Sequence, residues 1–341
     1  MQKNYKVIFP EQSKVELVEW EMPTVGPKDL LVKTVVSQIS TGTELTMLEA
    51  NVEPGSPWFS NIVFPNYNVG YSNVGQVVAV GGEVSQELIG RYVVSGSRHQ
   101  MYSVIDSESY FGKMWVPEGV SLEDAVFSTI GSITNGSIRC AKPRPGDLCV
   151  VYGAGIIGQM VARFAQLAGA GKVIVSDVSD LRLSKLPQDP CFIPVNSLKE
   201  NVPEFVKKVS EDGEGADIVF ETTSVPSLVQ QELQCLRKMG KLIITSSPKG
   251  KSLVDLDYCS RMGITIIGAH NFRVHPPVEI PENRWTRRKD SDHFLEMLRQ
   301  KRISVSEMHT HRFHYTDAVA AYEMLMKDRS QALSVLLTWE D

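Results

Sequence analysis

The stretch Val150-Val151-Tyr152-Gly153-Ala154-Gly155-Ile156-Ile157-Gly158 constrains this chain more than any other. The apolar run Leu148–Tyr152 before it reads as a buried strand, and Gln159–Ala168 after it reads as a helix. Between them the glycines keep G-x-G-x-x-G spacing, in the strand–turn–helix context that a dinucleotide fingerprint requires. Gly153 permits the tight turn, Gly155 lets the backbone approach a pyrophosphate, and Gly158 lets the helix pack on the strand. The helix start at Ile156 and Ile157 offers free N–H groups and the positive end of a dipole to phosphates. Glycines in a tight turn are the plainer account of the same residues. A second strand, Lys172–Asp177, supplies the independent signal. Its terminal acid follows the first glycine at about the separation of 20 residues that the motif sets. A carboxylate at Asp177 accepts hydrogen bonds from both ribose hydroxyls and repels a 2′-phosphate, which favours NAD over NADP. Arg182 is the counter-signal, because a nearby arginine accommodates such a phosphate.

Length and composition set the frame. At about 100–200 residues per domain, 341 residues imply two domains. The chain is 42% hydrophobic and 22% charged, ordinary values for a soluble enzyme. Net charge is −5, and the basic cluster Arg284–Lys289 is short and stands alone, so no nucleic-acid partner is expected. The first residues lack the apolar core of a signal peptide, and no apolar stretch reaches about 18 residues. The expectation is a cytoplasmic protein without a membrane segment. Five cysteines, at 140, 149, 191, 235 and 259, form no CxxC pair and read as reduced thiols.

In chain order, Tyr5–Phe9, Val15–Val18 and Leu30–Ser37 read as strands. Thr43–Ala50 follows as a short helix. Glycines at 70, 75, 81 and 82 punctuate β-branched residues in the manner of a small barrel. Ile89–Ser95 and Arg98–Ile105 add strands. Ser121–Arg139 reads as one helix leading to the fingerprint. Beyond it Asp217–Thr223, Lys241–Ser246 and Ile264–Gly268 are strands, with a helix over Leu228–Lys238. This alternation signals a parallel sheet covered by helices on both faces. After a Pro-rich loop over Val274–Glu282, helices are expected at Arg287–Arg299 and Thr316–Met326, and a strand at Ala332–Trp339.

The order of elements resembles the medium-chain dehydrogenase/reductase superfamily, of the alcohol and polyol dehydrogenase type, over nearly the whole chain. Four stretches carry the resemblance: Thr41-Gly42-Thr43-Glu44, Gly70–Val77, His99-Gln100-Met101-Tyr102, and the fingerprint with Asp177. They resemble the family's Cys-Gly-Thr/Ser-Asp, Gly-His-Glu with Gly-x-Val, and His-Ala-Glu-Tyr patterns. The resemblance implies an α/β protein: a doubly wound Rossmann sheet at 136–269, and a β-rich, GroES-like barrel domain from 1–135 and 270–341. It also implies a homodimer or homotetramer. The departures concern metal. Where zinc members carry Cys, His, and Cys or Glu, this chain has Thr41, Tyr71 and, more loosely, Ser128, none of them a good zinc donor. The four-cysteine structural-zinc lobe is missing between Val94 and Tyr102. His309 and His311 form an HxH that reads more simply as structural. No metal is expected.

Without a metal, hydride transfer from a CH–OH group still requires removal of the hydroxyl proton. Tyr71 replaces the ligand histidine and is the first candidate acid or base, against the alternative that it only fills the vacated site. A phenol ordinarily ionises near pH 10, so its pKa must fall or it must act as a donor. Thr43 matches the family's relay hydroxyl. Glu44 and His99 are further candidates, although both positions suit structural roles. Thr222, Thr223, Ser246, Gly268, Ala269 and His270 follow strand ends, where such sheets bind cofactor. Thr41, Arg284 and Trp285 are candidate substrate contacts, since Trp with Arg suits sugar or phosphate recognition.

The expectation is an NAD(H)-dependent, zinc-independent oxidoreductase acting on a secondary alcohol or ketone of a sugar, polyol or cyclitol. A quinone or enone reductase and a non-catalytic NAD(H)-binding protein stay open as alternatives. The Ser-Thr-Gly-Thr-Glu motif is also similar to that of bacteriochlorophyllide hydroxyethyl dehydrogenases.

Overall fold

The computed structural model describes residues 3–56, 58–109, 114–270, 275, 276 and 278–340, apart from the side chain of Asn61. Two compact units emerge: residues 1–129 with 288–341, and residues 130–287. Val274 and Pro277, in the expected Pro-rich loop, lie outside the described residues.

The first unit is built on one long strand. β1 (Asn4–Ile8) and β2 (Glu16–Trp20) form an antiparallel pair. β3 (Asp29–Ile39) alternates buried and half-buried side chains along most of its length, the period-2 pattern of a strand with one face on a core. Three strands pair antiparallel with it: β4 (Asn73–Val80), β6 (Tyr102–Asp106) and β15 (Ser334–Thr338). β5 (Tyr92–Ser95), β7 (Met114–Trp115) and β14 (His309–His314) complete the sheet, in the order β14-β15-β3-β4-β5-β7. The start and the end of the chain thus share one sheet. α1 (Thr43–Glu49) and α10 (Ala318–Asp328) pack their apolar faces into its core, with Leu45, Leu48, Tyr322 and Leu325 fully buried beside Phe9 and Trp339. Each such side chain contributes roughly 1.5–3 kcal/mol relative to an exposed one.

The second unit holds six parallel strands in the order β10-β9-β8-β11-β12-β13. They are β8 (Leu148–Tyr152), β9 (Lys172–Asp177), β10 (Phe192–Asn196), β11 (Ala216–Glu221), β12 (Leu236–Ile244) and β13 (Thr265–Gly268). The chain lays β9 and β10 to one side of β8, then returns to lay β11, β12 and β13 to the other. The order therefore reverses between β8 and β11, the switch point where doubly wound sheets bind ligands. β8 is buried on both faces: Cys149 and Val151 join one core, Leu148, Val150 and Tyr152 the other. This is why it reads as a continuous apolar run. Seven helices belong to this unit or lead into and out of it: α3 (Ser128–Ala141), α4 (Ile156–Leu167), α5 (Asp180–Leu183), α6 (Val202–Val209), α7 (Val229–Gln234), α8 (Leu256–Met262) and α9 (Arg287–Arg299).

Two sequence expectations need correction. Ser121–Arg139 is not one helix. Ser121 caps a short α2 (Leu122–Ala125) by accepting from Asp124 N, and α3 starts only after the buried Val126 and Phe127. The helix expected over Leu228–Lys238 stops at Gln234, and β12 begins at Leu236. Leu236 pairs with Ala216 and Lys241 with Ile218, so the residues between them bulge out, with Met239 at φ 62°. The polar Arg237 and Lys238 in that bulge read as a helix surface in sequence. Strand β10 and helices α6 and α8 were not expected. Among the described residues no helix is long and apolar enough to cross a membrane.

Candidate functional site

The fingerprint sits at the carboxyl end of β8. Gly153 has φ +97°, a conformation that suits glycine. A Cβ on Gly158 would lie 1.7 Å from the Gly153 carbonyl oxygen, so helix and turn touch through backbone. Gly155 differs. A Cβ there meets nothing within 4 Å. No protein atom requires that glycine, and the open space before the α4 N-terminus is the space a pyrophosphate needs. The residues present therefore fit a dinucleotide. The Thr222 hydroxyl fastens the turn to β11 by donating to the carbonyls of Tyr152 (2.6 Å) and Gly153 (3.2 Å).

Asp177 ends β9 and is 9% exposed. Its Oδ2 accepts from Ala154 N at 2.7 Å and its Oδ1 from Ser179 N at 2.8 Å. The carboxylate thus braces the fingerprint loop as well as standing at its mouth. Arg182 Nη1 lies 4.0 Å from Asp177 Oδ2, so the arginine is drawn towards that acid. Ile156, almost fully buried, and the half-buried Ile157 open α4.

At the ends of β11 and β12 the structure reveals a residue that sequence reasoning missed. Glu221 is 1% exposed, and its Oε1 accepts from Thr223 N, Thr223 Oγ1 and Ser224 N at 2.6–2.8 Å. The Ser246 hydroxyl donates to its Oε2. The hydroxyls of Thr223 and Ser246, expected to border a cofactor, are both turned to this carboxylate. The signal was an acid ending a buried strand just before Thr-Thr-Ser. Gly268 is exposed at the end of β13. Ala269 is buried and donates its N–H to Ile244 O at 2.9 Å, and His270 is exposed.

In the first unit, β3 delivers Ser40 and Thr41, α1 carries Thr43 and Glu44, and Tyr71 precedes β4. Tyr71 is half-buried. Its phenol oxygen lies 2.6 Å from Ser40 Oγ and 3.5 Å from Thr43 Oγ1. Ser40 was not among the expected site residues. Its hydroxyl is visible in the sequence, but only the turn after β3 aims it at Tyr71. Glu44 and His99 lie elsewhere than expected for catalytic groups. Both are 0% exposed, and His99 Nε2 meets Glu44 Oε2 at 3.1 Å while Nδ1 meets Ser37 Oγ at 2.8 Å. With both ring nitrogens occupied inside the core, His99 has no atom to offer a substrate. Glu44 also accepts from Ser40 N at 2.9 Å and from the Tyr322 hydroxyl.

Trp285 is partly engaged within the protein. The Arg139 guanidinium covers its ring at 3.4 Å, which takes up a stacking face, while Arg284 is exposed. His309 and His311 part company: His309 Nε2 bonds Asp124 Oδ1 at 3.0 Å, and His311 Nδ1 meets Thr310 Oγ1. Among the described residues, no group of three or more His, Cys, Asp or Glu is placed to hold a metal ion.

A parallel sheet with the fingerprint at its switch point, together with an antiparallel unit formed from both ends of the chain, defines a two-domain dehydrogenase. The comparisons agree. A family model described as zinc-binding dehydrogenase matches residues 157–282. That stretch begins inside the fingerprint and contains neither Thr41 nor Tyr71. The chain is 26% identical over 274 residues to the L-threonine 3-dehydrogenase of Pyrococcus abyssi, covering 71% of this chain and 75% of that one. The 2R,3R-butanediol dehydrogenase of Bacillus subtilis superposes with a TM-score of 0.80 at 18% identity, over 99% of this chain and 100% of that one. An alcohol dehydrogenase from Escherichia coli CFT073, complexed with NADH, gives 0.79 at 18% identity over 99% of both chains. By these matches the chain is similar to dehydrogenases of the medium-chain dehydrogenase/reductase superfamily and shares the fold of the solved alcohol and polyol dehydrogenases.

Proposed function

We propose that this chain is a cytoplasmic, NAD(H)-dependent, zinc-independent oxidoreductase that interconverts a secondary alcohol and a ketone on a sugar, polyol or cyclitol. The observation that carries the reading is Asp177, a carboxylate at the end of β9 beside the open Gly155 cradle. A negative charge there disfavours a 2′-phosphate and favours two free ribose hydroxyls. Similarity to a butanediol dehydrogenase supports a polyhydroxylated substrate. Thr41 and Tyr71 support zinc independence, because a hydroxyl and a phenol are poor zinc donors beside thiolate, imidazole or carboxylate.

NAD⁺, when bound, supplies the hydride acceptor. Gly153, Gly155, Gly158 and the α4 N-terminus would hold its phosphates, and Asp177 its adenosine ribose. Tyr71, as its phenolate, takes the hydroxyl proton in oxidation, and as the neutral phenol it returns a proton to the carbonyl oxygen in reduction, with Thr43 as the more distant hydroxyl. The protein works as a homodimer or homotetramer, and the outer edge of β13 is the contact this reading favours.

Steady-state assays over a polyol and sugar-alcohol panel, run with NAD⁺ and NADP⁺ on protein analysed for zinc, test the proposal. The expected result is turnover with NAD⁺, well under one zinc per chain, and a fall in kcat of about 10²-fold or more in Tyr71→Phe. Preference for NADP⁺ would remove the Asp177 argument. One zinc per chain would restore metal-assisted chemistry, and unchanged turnover in Tyr71→Phe would remove the tyrosine from it.

A further inference from the structure

We propose that Ser40 is the positioning residue of Tyr71, and that buried Glu44 and His99 form the frame that holds Ser40 in place. This rests on the reading of Tyr71 as the proton-transfer group. Positional carry-over pointed to Thr43 as the hydroxyl partner. The distances point to Ser40 instead. At 2.6 Å its oxygen is within hydroxyl hydrogen-bonding range of the phenol, whereas Thr43 at 3.5 Å is beyond it. Ser40 Oγ makes no other hydrogen bond among the described residues, so its proton is available to the phenol oxygen. A hydroxyl that donates to a phenolate favours the ionised form, which is the form a general base requires.

Ser40 lies just past β3, where a loop hydroxyl would ordinarily wander. Its N–H is held by Glu44 Oε1 at 2.9 Å. Glu44 is held in turn by His99 and by the Tyr322 hydroxyl, and His99 by Ser37, whose oxygen accepts from Trp339 Nε1 at 2.9 Å. Indole nitrogen only donates. The chain Trp339 to Ser37 to His99 Nδ1, then His99 Nε2–H to Glu44, uses each proton once and assigns the Nε2–H tautomer to His99. Every member is buried, so the frame is rigid. It joins β3, α1, α10 and the residue just after β15, segments from both ends of the chain. Arg98 is a further charged group close to this cluster: its Nη1 donates to the Gly70 carbonyl at 2.9 Å, next to Tyr71 in sequence.

The test is a titration of the full chain carrying ¹³Cζ-tyrosine, without cofactor, with the Tyr71 resonance identified by its loss in Tyr71→Phe. Ser40→Ala should raise the Tyr71 midpoint by about one pH unit. Ser40→Thr keeps the hydroxyl and should stay close to wild type, and Thr43→Ala should shift the midpoint less than Ser40→Ala does. In turnover, Ser40→Ala should lower kcat by about tenfold at unchanged KM and move the pH–rate inflection upward with the resonance. If Ser40→Ala melts too early to titrate, Ser40→Cys, a weaker donor of similar size, should give an intermediate rise. A midpoint unmoved in the variant titrated, or moved equally by Ser40→Thr, overturns the proposal. A moved midpoint together with undiminished turnover in Tyr71→Phe would leave Ser40 as the partner of Tyr71 and refute the proton-transfer role of the tyrosine instead.

Discussion

Gly155 and Gly158 stand three residues apart and are glycines for different reasons. Gly158 is a packing requirement, since a methyl there would drive into the Gly153 carbonyl. Gly155 has φ −65° and ψ 179°, a conformation open to any residue, with empty space where a side chain would go. Gly158→Ala should therefore lose about 3 kcal/mol or more of stability, as overpacking against backbone does. Gly155→Ala should unfold within about 1 kcal/mol of wild type, yet bind NADH about tenfold or more weakly. Urea unfolding and fluorescence titration of NADH on both variants would check this, and equal losses of stability would show that Gly155 is also structural. Both glycines are legible in the sequence as one motif. The division of labour between them is not, because it depends on which atoms lie beyond the Cβ. Glu44 and His99 teach the same point. Their residue types suit catalysis, and only burial places them behind Ser40.

At the scale of elements, α7 carries a cost the sequence conceals. Glu232 is fully buried in it, and among the described residues neither carboxyl oxygen finds a hydrogen-bond partner. Burial first, and the charge of Glu221 second, raise its carboxyl to about 9. An unfolded glutamate ionises near pH 4.3. Between those values the native chain keeps a proton that the unfolded chain has given up. The contribution of Glu232 to stability is therefore greatest below the unfolded value and falls as pH rises towards about 9. Glu232→Gln, neutral at every pH, should raise the melting temperature relative to wild type more at pH 8.5 than at pH 5. An equal difference at both pH values would show that Glu232 is ionised in the folded protein. Periodicity placed α4 and α9 well, because an amphipathic stripe fixes a helix face. It failed at α7 and β12, where a helix too short for a full stripe runs straight into a bulged strand.

At the scale of the whole molecule, the outer edge of the parallel sheet bears on assembly. β13 ends the strand order, and Ile266 on it is 42% exposed, with Leu253 and Leu256 exposed nearby in sequence. An open apolar edge invites pairing with another chain. On the proposed homodimer or homotetramer, Ile266→Asp should shift the protein to a smaller species in light scattering after size exclusion, with the NADH affinity of each chain retained. An unchanged mass would place the subunit contact elsewhere.

What the sequence determined by itself is the class of fold and the glycine turn between β8 and α4. The glycine spacing, the acid closing the second strand and the β–α alternation are local patterns, and local patterns are written in neighbouring residues. The tertiary structure alone decided which hydroxyl meets Tyr71, which carboxylates are buried and which aromatic face is covered. Those depend on contacts such as Trp339 with Ser37 and Tyr322 with Glu44, made across most of the chain's length. No spacing rule reaches that far, because distance along the chain stops predicting distance in space once strands from both ends share a sheet.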